Sequence, residues 1–402
     1  MTALQSPNRR LLRARRQLRA ELAQLVCALV GLGLGLLLPR LTIDPGMAGN
    51  RLVGPLMTIG IGVVGVVSLV YSLLFGVVQW SASSFTPRLR QFRGDPLVWR
   101  TFAFAIGVFV YCATAALVGA DRSRVCVLVP STAIVGLLAT VALIRQLQVR
   151  AFSSLQLAHV LETISTDGRA VIDDVYPLRV APQSTVPPSS LGPLRRTVAW
   201  SGRSGVVQQL DLLPLIDQAS RADAVVAFRV GVGETVHEGT PVADVHGGDL
   251  SDQVVEGSVV RGSERSFDQD PTLAVRLLAD IALRALSPAV NDPATAVDAI
   301  DAIDGLLRAL TKRDIDVQDI TDAAGQLRVR LQLPTWSDYT RIAITDLIPP
   351  ASPFVMVLGR LRRLLDNLVE SVSPEARPEL VQLLARVSRA LTLRDEVGTG
   401  DT

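Results

Sequence analysis

The chain has 402 residues with 40 basic and 38 acidic side chains, which gives a net charge of +2. This balance gives no electrostatic reason to expect a nucleic-acid partner, and none is predicted. The mean hydropathy of +0.35 combines an apolar N-terminal third with a polar remainder. Because a chain of this length has room for two or three domains, the composition predicts a membrane domain followed by water-exposed ones.

Four apolar stretches near the N-terminus approach or exceed the ~20 residues that a helix needs to cross a bilayer core of ~30 Å. They are residues 22–38, 52–80, 101–120 and 125–144. Only residues 121–124 separate the last two stretches, which predicts an antiparallel helical hairpin. Residues 1–150 are therefore predicted to form a four-helix transmembrane domain with the lipid bilayer as its partner.

Arginines flank these stretches unevenly. One side has six arginines before the first stretch, four between the second and third, and Arg145 and Arg150 after the fourth; the other side has Arg40, Arg51, Arg122 and Arg124. Because cytoplasmic loops are enriched in basic residues, both termini are predicted to be cytoplasmic. A cleaved signal peptide is the alternative for the first stretch, but no small-residue cleavage motif follows it, which favours an uncleaved signal-anchor.

The four stretches contain no Asp, Glu, Lys, Arg or His. Ion-coupled transporters usually place an ionisable group at membrane depth, so a carboxylate-driven transporter is disfavoured. A pore lined by small or hydroxyl side chains is compatible with this composition. Cys27, Cys112 and Cys126 form no CxxC pair and predict neither a disulfide framework nor a zinc site.

Small residues recur at helical spacing along the second stretch, at Gly62, Gly65, Ser72 and Gly76. In lipid, such a face commonly allows two helices to pack closely. The alternative hypothesis is that the same face lines a pore.

The next two segments are a connection and a β-rich subdomain. Residues 151–193 are predicted to contain a helix interrupted at Gly168, followed by a Pro- and Ser-rich linker. Residues 194–262 are predicted to be β-rich, with tight turns at glycines. The motif VGVGETVHEGTPVADV at residues 230–245 resembles the hammerhead hairpin of biotinyl- and lipoyl-carrier domains. Only a barrel-sandwich-like fold is implied, because no lysine precedes Lys312 to carry a cofactor, and no cofactor is predicted.

Residues 263–395 are predicted to be an α+β helical subdomain, with a strand at 327–333, a C-terminal helical hairpin and a disordered tail at 396–402. Asp270 before Pro271 and Asp292 before Pro293 match an N-cap followed by proline at the first helical position. Asn291 and Asp292 are therefore interpreted first as capping residues and second as candidate interaction residues.

Two charged faces on the predicted helices are further candidates. Arg276, Asp280 and Arg284 recur at every fourth position, which fits a solvated ion-pair ladder or, alternatively, an anchor for an anionic partner or a second subunit. Asp298, Asp301 and Asp304 share a face that is a weak candidate for a hard cation. Since the sequence fixes no further oxygen ligands, no metal site is predicted.

Several motifs resemble one family of bacterial membrane proteins. They are QWSASSFTPRLRQF after the second stretch, PTWSDYTRIA, the glycine-rich hairpin and the long segment FDQDPTLAVRLLADIALRALSPAVNDPATA. The chain is similar, over nearly its whole length, to the family catalogued as domain of unknown function 2254. The resemblance implies a protein of the bacterial cytoplasmic membrane and supplies no catalytic residues.

The predicted fold is a membrane α-helical domain of four transmembrane helices, followed by a cytoplasmic α+β region with a barrel-sandwich-like hairpin and C-terminal helices. His159, His237 and His246 are scattered, and no phosphate-loop motif is present, so no enzyme is predicted. The favoured hypothesis is a homo-oligomeric channel or gated pore with a cytoplasmic collar. The alternative is a membrane-tethered regulatory or scaffold protein whose soluble domain binds a partner or small ligand.

Overall fold

A computed structural model describes residues 9–41, 46–84, 96–154, 156–178, 191–316 and 318–399. The chain divides into two compact units. Residues 5–156 form the membrane unit, and residues 157–402 belong to the C-terminal unit. Most of the predicted Pro- and Ser-rich linker lies outside the described residues.

The membrane unit consists of four long helices. They are α1 (Arg9–Leu37), α2 (Gly49–Ser84), α3 (Pro96–Ala120) and α4 (Leu128–Ser154). Each contains a segment that is long and apolar enough to cross a membrane, which confirms the prediction of four apolar helices. Of the 32 large apolar side chains that are exposed among the described residues, 24 lie in this unit. Lipid is the solvent that such a surface requires.

Helix α3 is the centre of the membrane unit and packs against the other three helices. Half of its spanning segment is buried, against about a fifth in the other three. The apolar core contains Leu56 and Val63 of α2, Cys112 of α3 and Val129 of α4. The middle of the unit is therefore filled by side chains.

Two short strands join the connections between these helices. Strand β1 (Gly46–Met47) follows α1, strand β2 (Val125–Cys126) precedes α4, and the two pair antiparallel. The amide of Gly49 also donates to the carbonyl oxygen of Arg122 at 3.3 Å. The α1–α2 and α3–α4 connections thus meet at one end of the unit, as alternating helix directions require.

The C-terminal unit begins with α5 (Leu157–Val175) and contains two sheets. The five-stranded sheet has the order β3-β7-β5-β10-β9, and the three-stranded sheet has the order β6-β4-β8. The strands are β3 (Leu194–Ala199), β4 (Gly205–Leu210), β5 (Ala224–Phe228), β6 (Thr235–Val236), β7 (Pro241–Gly247), β8 (Val259–Gly262), β9 (Asp319–Thr321) and β10 (Leu327–Arg330). Only β5 and β10 pair in parallel. Two helices, α6 (Leu212–Arg221) and α7 (Asp252–Ser258), lie between these strands in the sequence.

The predicted barrel-sandwich-like hairpin is not confirmed. Strands β5 and β7 do pair, but β6 between them leaves this sheet and pairs with β4. Gly233 and Gly239, at φ of 94° and 83°, turn the chain before and after β6. Because these turns send β6 into a second sheet, the described strands form two open sheets and no closed barrel.

The remaining helices build a second core. They are α8 (Leu273–Ala285), α9 (Pro293–Thr311), α10 (Trp336–Ala343), α11 (Ile348–Ala351), α12 (Val355–Ser371) and α13 (Arg377–Thr399). Helices α12 and α13 pack together, which confirms the predicted C-terminal helices. Helix α13 continues to Thr399, into the segment 396–402 for which a disordered tail is predicted; residues 400–402 lie outside the described part.

The predicted interruption at Gly168 is wrong, because α5 runs through it without a break. Gly168 is buried where α5 crosses α8, and a Cβ at this position would overlap with Cβ of Ala274. The glycine is needed for a close helix crossing, and the helix tolerates its cost of ~1 kcal/mol relative to alanine.

Candidate functional site

The four small residues of α2 that define the candidate pore or packing face all lie on the exposed side of the helix. Gly62, Gly65, Ser72 and Gly76 are exposed, whereas Val63 and Val67 on the opposite side are each only 2% exposed. No described atom lies within 4 Å of a Cβ placed on any of the three glycines. This face therefore packs against no described part of its own chain.

Other glycines make the close contacts inside the membrane unit. A Cβ on Gly31 of α1 would overlap with the carbonyl oxygen of Gly107 of α3, and one on Gly107 would lie 2.8 Å from the carbonyl oxygen of Cys27. A Cβ on Gly60 of α2 would lie 3.1 Å from Cβ of Cys112. Sequence reasoning did not single out these positions, since they do not recur along one face.

Hydroxyl groups in the spanning helices donate hydrogen bonds to backbone carbonyl oxygens of the same unit. Thr58 and Thr140 each donate to the carbonyl four residues earlier, at 2.9 and 2.8 Å. Tyr111 donates to the carbonyl oxygen of Val129 at 2.8 Å, which joins α3 to α4. These bonds satisfy donors that lipid cannot satisfy.

Arg276, Asp280 and Arg284 lie on α8, which is otherwise nearly buried. Arg276 Nε is 3.1 Å from Asp280 Oδ1, and its Nη1 is 3.6 Å from Asp346 Oδ2. Arg276 therefore ties α8 to the segment after α10. The Nε atom of Arg284 is buried and has no hydrogen-bond acceptor among the described residues.

Asp292 is the N-cap of α9. Its carboxylate accepts from the amide of Thr295 at 3.1 Å and from the Thr295 hydroxyl at 2.7 Å. The bond from the Thr295 side chain is the larger cause of a lowered pKa for Asp292, with the backbone bond second. Asn291 precedes it at φ 51°, a left-handed conformation that asparagine tolerates. The structure thus assigns the capping role to Asp292.

A buried ion pair that sequence reasoning missed lies at the start of α8. Arg265 Nε is 2.6 Å from Asp270 Oδ2 and its Nη2 is 2.7 Å from Asp270 Oδ1. The same carboxylate accepts from the amides of Thr272 and Leu273, each at 3.1 Å. A Cβ on Gly233 would lie 2.5 Å from Asp270 Oδ2, so the glycine turn before β6 closes directly over the pair.

The polar groups of the Arg265–Asp270 cluster are bonded to each other and to neighbouring residues. Asp270 is 1% exposed. Its Oδ2 accepts from the Arg265 guanidinium, and its Oδ1 accepts from that guanidinium, from the Thr272 hydroxyl and from the amides of Thr272 and Leu273. Its role is to fix the β-sheet part of the C-terminal unit to the first turn of α8.

A second buried contact is made by two tyrosines. The hydroxyls of Tyr176 and Tyr339 are 3.1 Å apart, and both rings are buried. Burial raises the pKa of both phenols, so both are neutral at physiological pH. This contact joins the end of α5 to α10.

Two of the aspartates considered as a weak cation site, Asp301 and Asp304, bond to arginines. Arg360 of α12 bonds to Asp301, and its Nη2 is 2.7 Å from Asp304 Oδ2, while Arg308 Nε is 2.9 Å from Asp304 Oδ1. Within the described ranges no group of three or more His, Cys, Asp or Glu side chains could hold a metal ion. Because arginines bond the carboxylates of Asp301 and Asp304, the weak alternative of a cation site on this face is disfavoured.

The histidines make separate surface contacts. His237 Nδ1 is 3.0 Å from Ser204 Oγ, and His246 Nδ1 is 2.8 Å from the carbonyl oxygen of Gly192. Both are exposed, and His159 lies apart on α5. The described geometry brings no carboxylate to complete a charge-relay arrangement at His237.

The architecture defines a class: a membrane protein in which four apolar helices precede a separate α/β unit. The chain belongs to the family described as "Predicted membrane protein (DUF2254)", whose model matches residues 22–367. This confirms the family resemblance of the sequence motifs.

Proteins named only as uncharacterized are similar to it in Mycobacterium bovis and in two strains of Mycobacterium tuberculosis. Each is 25% identical over 386 residues, covering 90% of this chain and 74% of the relative. No solved structure matches the chain.

Proposed function

We propose that this membrane protein is the subunit of an oligomeric channel or gated pore, with α2 nearest the symmetry axis. The observation that carries the proposal is the exposed small-residue face of α2. Gly62, Gly65, Ser72 and Gly76 are exposed, and the three glycines contact no other described part of the chain, so we apply the close-packing hypothesis to contacts between copies. Small residues let helices from several copies approach closely around an axis.

A pore must then lie between copies. The centre of one membrane unit is filled by α3, whose backbone touches that of α1 at Gly31 and Gly107. Between Gly62 and Gly76 the exposed face of α2 offers glycine backbone and the hydroxyl of Ser72, and that stretch of sequence has no charged residue. Such a lining favours passage of small solutes without a strong binding site at membrane depth.

We propose further that both termini are cytoplasmic and that the C-terminal unit forms a collar around the pore mouth. The arginine distribution supports this orientation. No reaction is assigned to the protein in this proposal.

Cysteine cross-linking tests the position of α2. In a background with the three native cysteines replaced by alanine, Ser72→Cys is expected to give covalent oligomers when membranes are oxidised. The matched control is Val135→Cys, at a site on α4 that is 64% exposed, which is expected to stay monomeric. Equal cross-linking at both sites, or none at Ser72, contradicts the proposal.

Electrical recording tests the pore itself. Purified protein in planar bilayers is expected to conduct, and Gly65→Leu, which places a bulky side chain on the proposed lining, is expected to reduce the unit conductance. Silence under voltage, tension and ligand challenge, together with a monomer in mild detergent, overturns the channel.

A second candidate is a membrane-tethered regulatory or scaffold protein. The observation that favours it is Arg284, whose buried Nε has no described acceptor, next to the exposed segment 288–291. A soluble fragment of residues 157–402 that captures one defined partner, with Arg284→Gln abolishing capture, would favour this function over the pore.

A further inference from the structure

The two units carry opposite charge. The membrane unit contains sixteen arginines and four acidic residues, a net charge of +12, whereas the C-terminal unit has a net charge of −10. The near-neutral total therefore hides a strongly basic membrane unit.

The arginines of the membrane unit concentrate at the end opposite the β1–β2 pair, which we call the arginine-rich end. Helix directions place the start of α1, the end of α2, the start of α3 and the end of α4 there. The described elements at this end carry nine arginines, at positions 9, 10, 13, 15, 16, 19, 100, 145 and 150, against Glu21. Six of the nine lie on α1, which continues unbroken into its spanning segment.

Two of these arginines have fixed positions at the edge of the apolar segments. Arg100 lies two residues inside the spanning segment Val98–Ala120, and Arg145 lies four residues before the end of Leu128–Val149. Both are exposed. Trp99 beside Arg100 is 44% exposed, and exposed tryptophan is typical of the headgroup level of a bilayer.

Among the residues that the structure describes, no carboxylate faces either of these two guanidinium groups. Neither takes part in an ion pair with another described residue. In the C-terminal unit, by contrast, the half-buried Arg265 faces Asp270 at 2.6 Å and the buried Arg328 faces Asp322 at 2.7 Å. An arginine at the edge of the hydrocarbon layer extends its long side chain toward the interface, where lipid phosphates are the nearest anions.

We propose that the arginine-rich end binds the phosphate groups of anionic phospholipids in the adjoining leaflet. The preference of basic residues for the cytoplasmic side of a membrane explains why the arginines lie on one side. It supplies no negative charge to balance them once the helices are in the membrane. Guanidinium pairs with phosphate in a bidentate geometry. A leaflet rich in phosphatidylglycerol supplies these phosphates at the depth of Arg100 and Arg145.

The test uses the full chain in lipid nanodiscs with equal phosphatidylglycerol and phosphatidylcholine. Lipids retained after transfer to mild detergent are counted by native mass spectrometry. The wild type is expected to retain phosphatidylglycerol preferentially, and the preference is expected to weaken with salt because screened charges attract less. The double variant Arg100→Gln/Arg145→Gln is expected to lose it by about fivefold or more, since each interfacial arginine contributes appreciably to lipid attraction.

Two further variants make the result decisive. Arg40→Gln/Arg51→Gln removes two exposed arginines from the opposite end and is expected to keep the preference. Arg100→Lys/Arg145→Lys keeps the charge and is expected to retain most of it, which separates charge from any folding defect. Equal retention of both lipids by the wild type, or equal loss in both glutamine variants, overturns the proposal. A preference that is unchanged in Arg100→Gln/Arg145→Gln also overturns it and indicates that acidic groups of the protein neutralise these arginines.

Discussion

Asp270 is a single residue on which two parts of the C-terminal unit depend. Its carboxylate accepts five hydrogen bonds, from Arg265, Thr272 and Leu273. A buried pair of this kind contributes little compared with an apolar alternative, yet breaking it leaves a charge unpaired away from water. Replacing Asp270 is therefore expected to lower the stability of the fold by more than the intact ion pair contributes to it.

We expect Asp270→Asn to destabilise the C-terminal unit by about 3–5 kcal/mol, because the Arg265 guanidinium then loses its counter-charge. Thermal unfolding of the purified chain, followed by circular dichroism, measures the change. Asp249→Asn is the matched control: its side chain is 88% exposed in a 3.5 Å pair with Arg196, and surface pairs contribute about 0–1 kcal/mol. Similar losses in both variants would contradict the importance of burial.

Asp322 gives a pH-dependent prediction. The Arg328 guanidinium, 2.7 Å away, and the amide of Gln326 lower the pKa of Asp322 from 3.8 to about 2. A carboxylate whose pKa is depressed in the folded state stabilises the fold above the unfolded-state pKa and loses this effect as pH falls. The unfolding midpoint of Asp322→Asn should therefore lie below that of the wild type at pH 5 and approach it as the pH drops from about 4 to 2. A pH-independent difference would show that the charge is not responsible.

The role of a single residue was predictable where it depends on residues close to it in the sequence. The Asp-Pro pattern identified Asp292 as an N-cap, because the cap and the amide that donates to it lie within one turn. The same pattern at Asp270 was less accurate, since α8 starts at Leu273 with Thr272 as N-cap. Arg265 as its partner was not predictable, because a loop of unknown shape joins the two residues. The arginine partners of Asp301 and Asp304 were not fully predictable for a similar reason, since Arg360 lies on a distant helix.

At the level of elements, the crossing of α1 and α3 shows how the membrane unit achieves close packing. Gly31 and Gly107 bring the two backbones together. Lipid provides little hydrophobic force between helices, so close van der Waals contact has to supply the attraction.

Gly31→Ala is expected to destabilise the membrane unit by about 1–3 kcal/mol, the usual cost of overpacking. The added methyl group would overlap with the carbonyl oxygen of Gly107. Gly33→Ala on the same helix has no described atom within 4 Å of its new Cβ and should be neutral or slightly stabilising. Thermal melts of both variants in the same detergent measure the difference, and equal behaviour would place the crossing elsewhere.

The elements themselves were predictable to different degrees. Apolar runs of ~20 residues identified the four membrane helices directly. Strand partners were not predictable: β10 pairs in parallel with β5, about a hundred residues earlier, and β6 joins a sheet that its neighbours do not. Gly168 was misread as a break, because in a sequence a glycine at a helix crossing looks the same as one at a turn.

At the scale of the whole molecule, the two units have separate cores. The sheets of the C-terminal unit enclose a cluster that includes Val198, Val226, Val245 and Val329, and its helices enclose another around Ile300 and Leu307. Only 8 of the 32 exposed large apolar side chains among the described residues belong to this unit. Its surface is therefore suited to water.

We expect residues 157–402 to fold as a soluble fragment without the membrane unit. Helix α5 is included because it packs against α8 and α9 within this unit. Circular dichroism, a cooperative thermal transition and a single peak in size-exclusion chromatography are the expected results. A matched fragment starting at residue 191, which lacks α5, should aggregate or melt at lower temperature; aggregation of both fragments would show that the unit needs the membrane part.

The short β1–β2 pair has a mechanical consequence for the membrane unit. It fastens the α1–α2 turn to the α3–α4 turn, so the two helical hairpins cannot part at that end while its bonds persist. Any rearrangement that preserves the β1–β2 pair must separate the helices at the opposite end of the unit. Movement would then be smallest near Gly46 and Cys126 and greatest where α1 begins and α4 leaves the lipid.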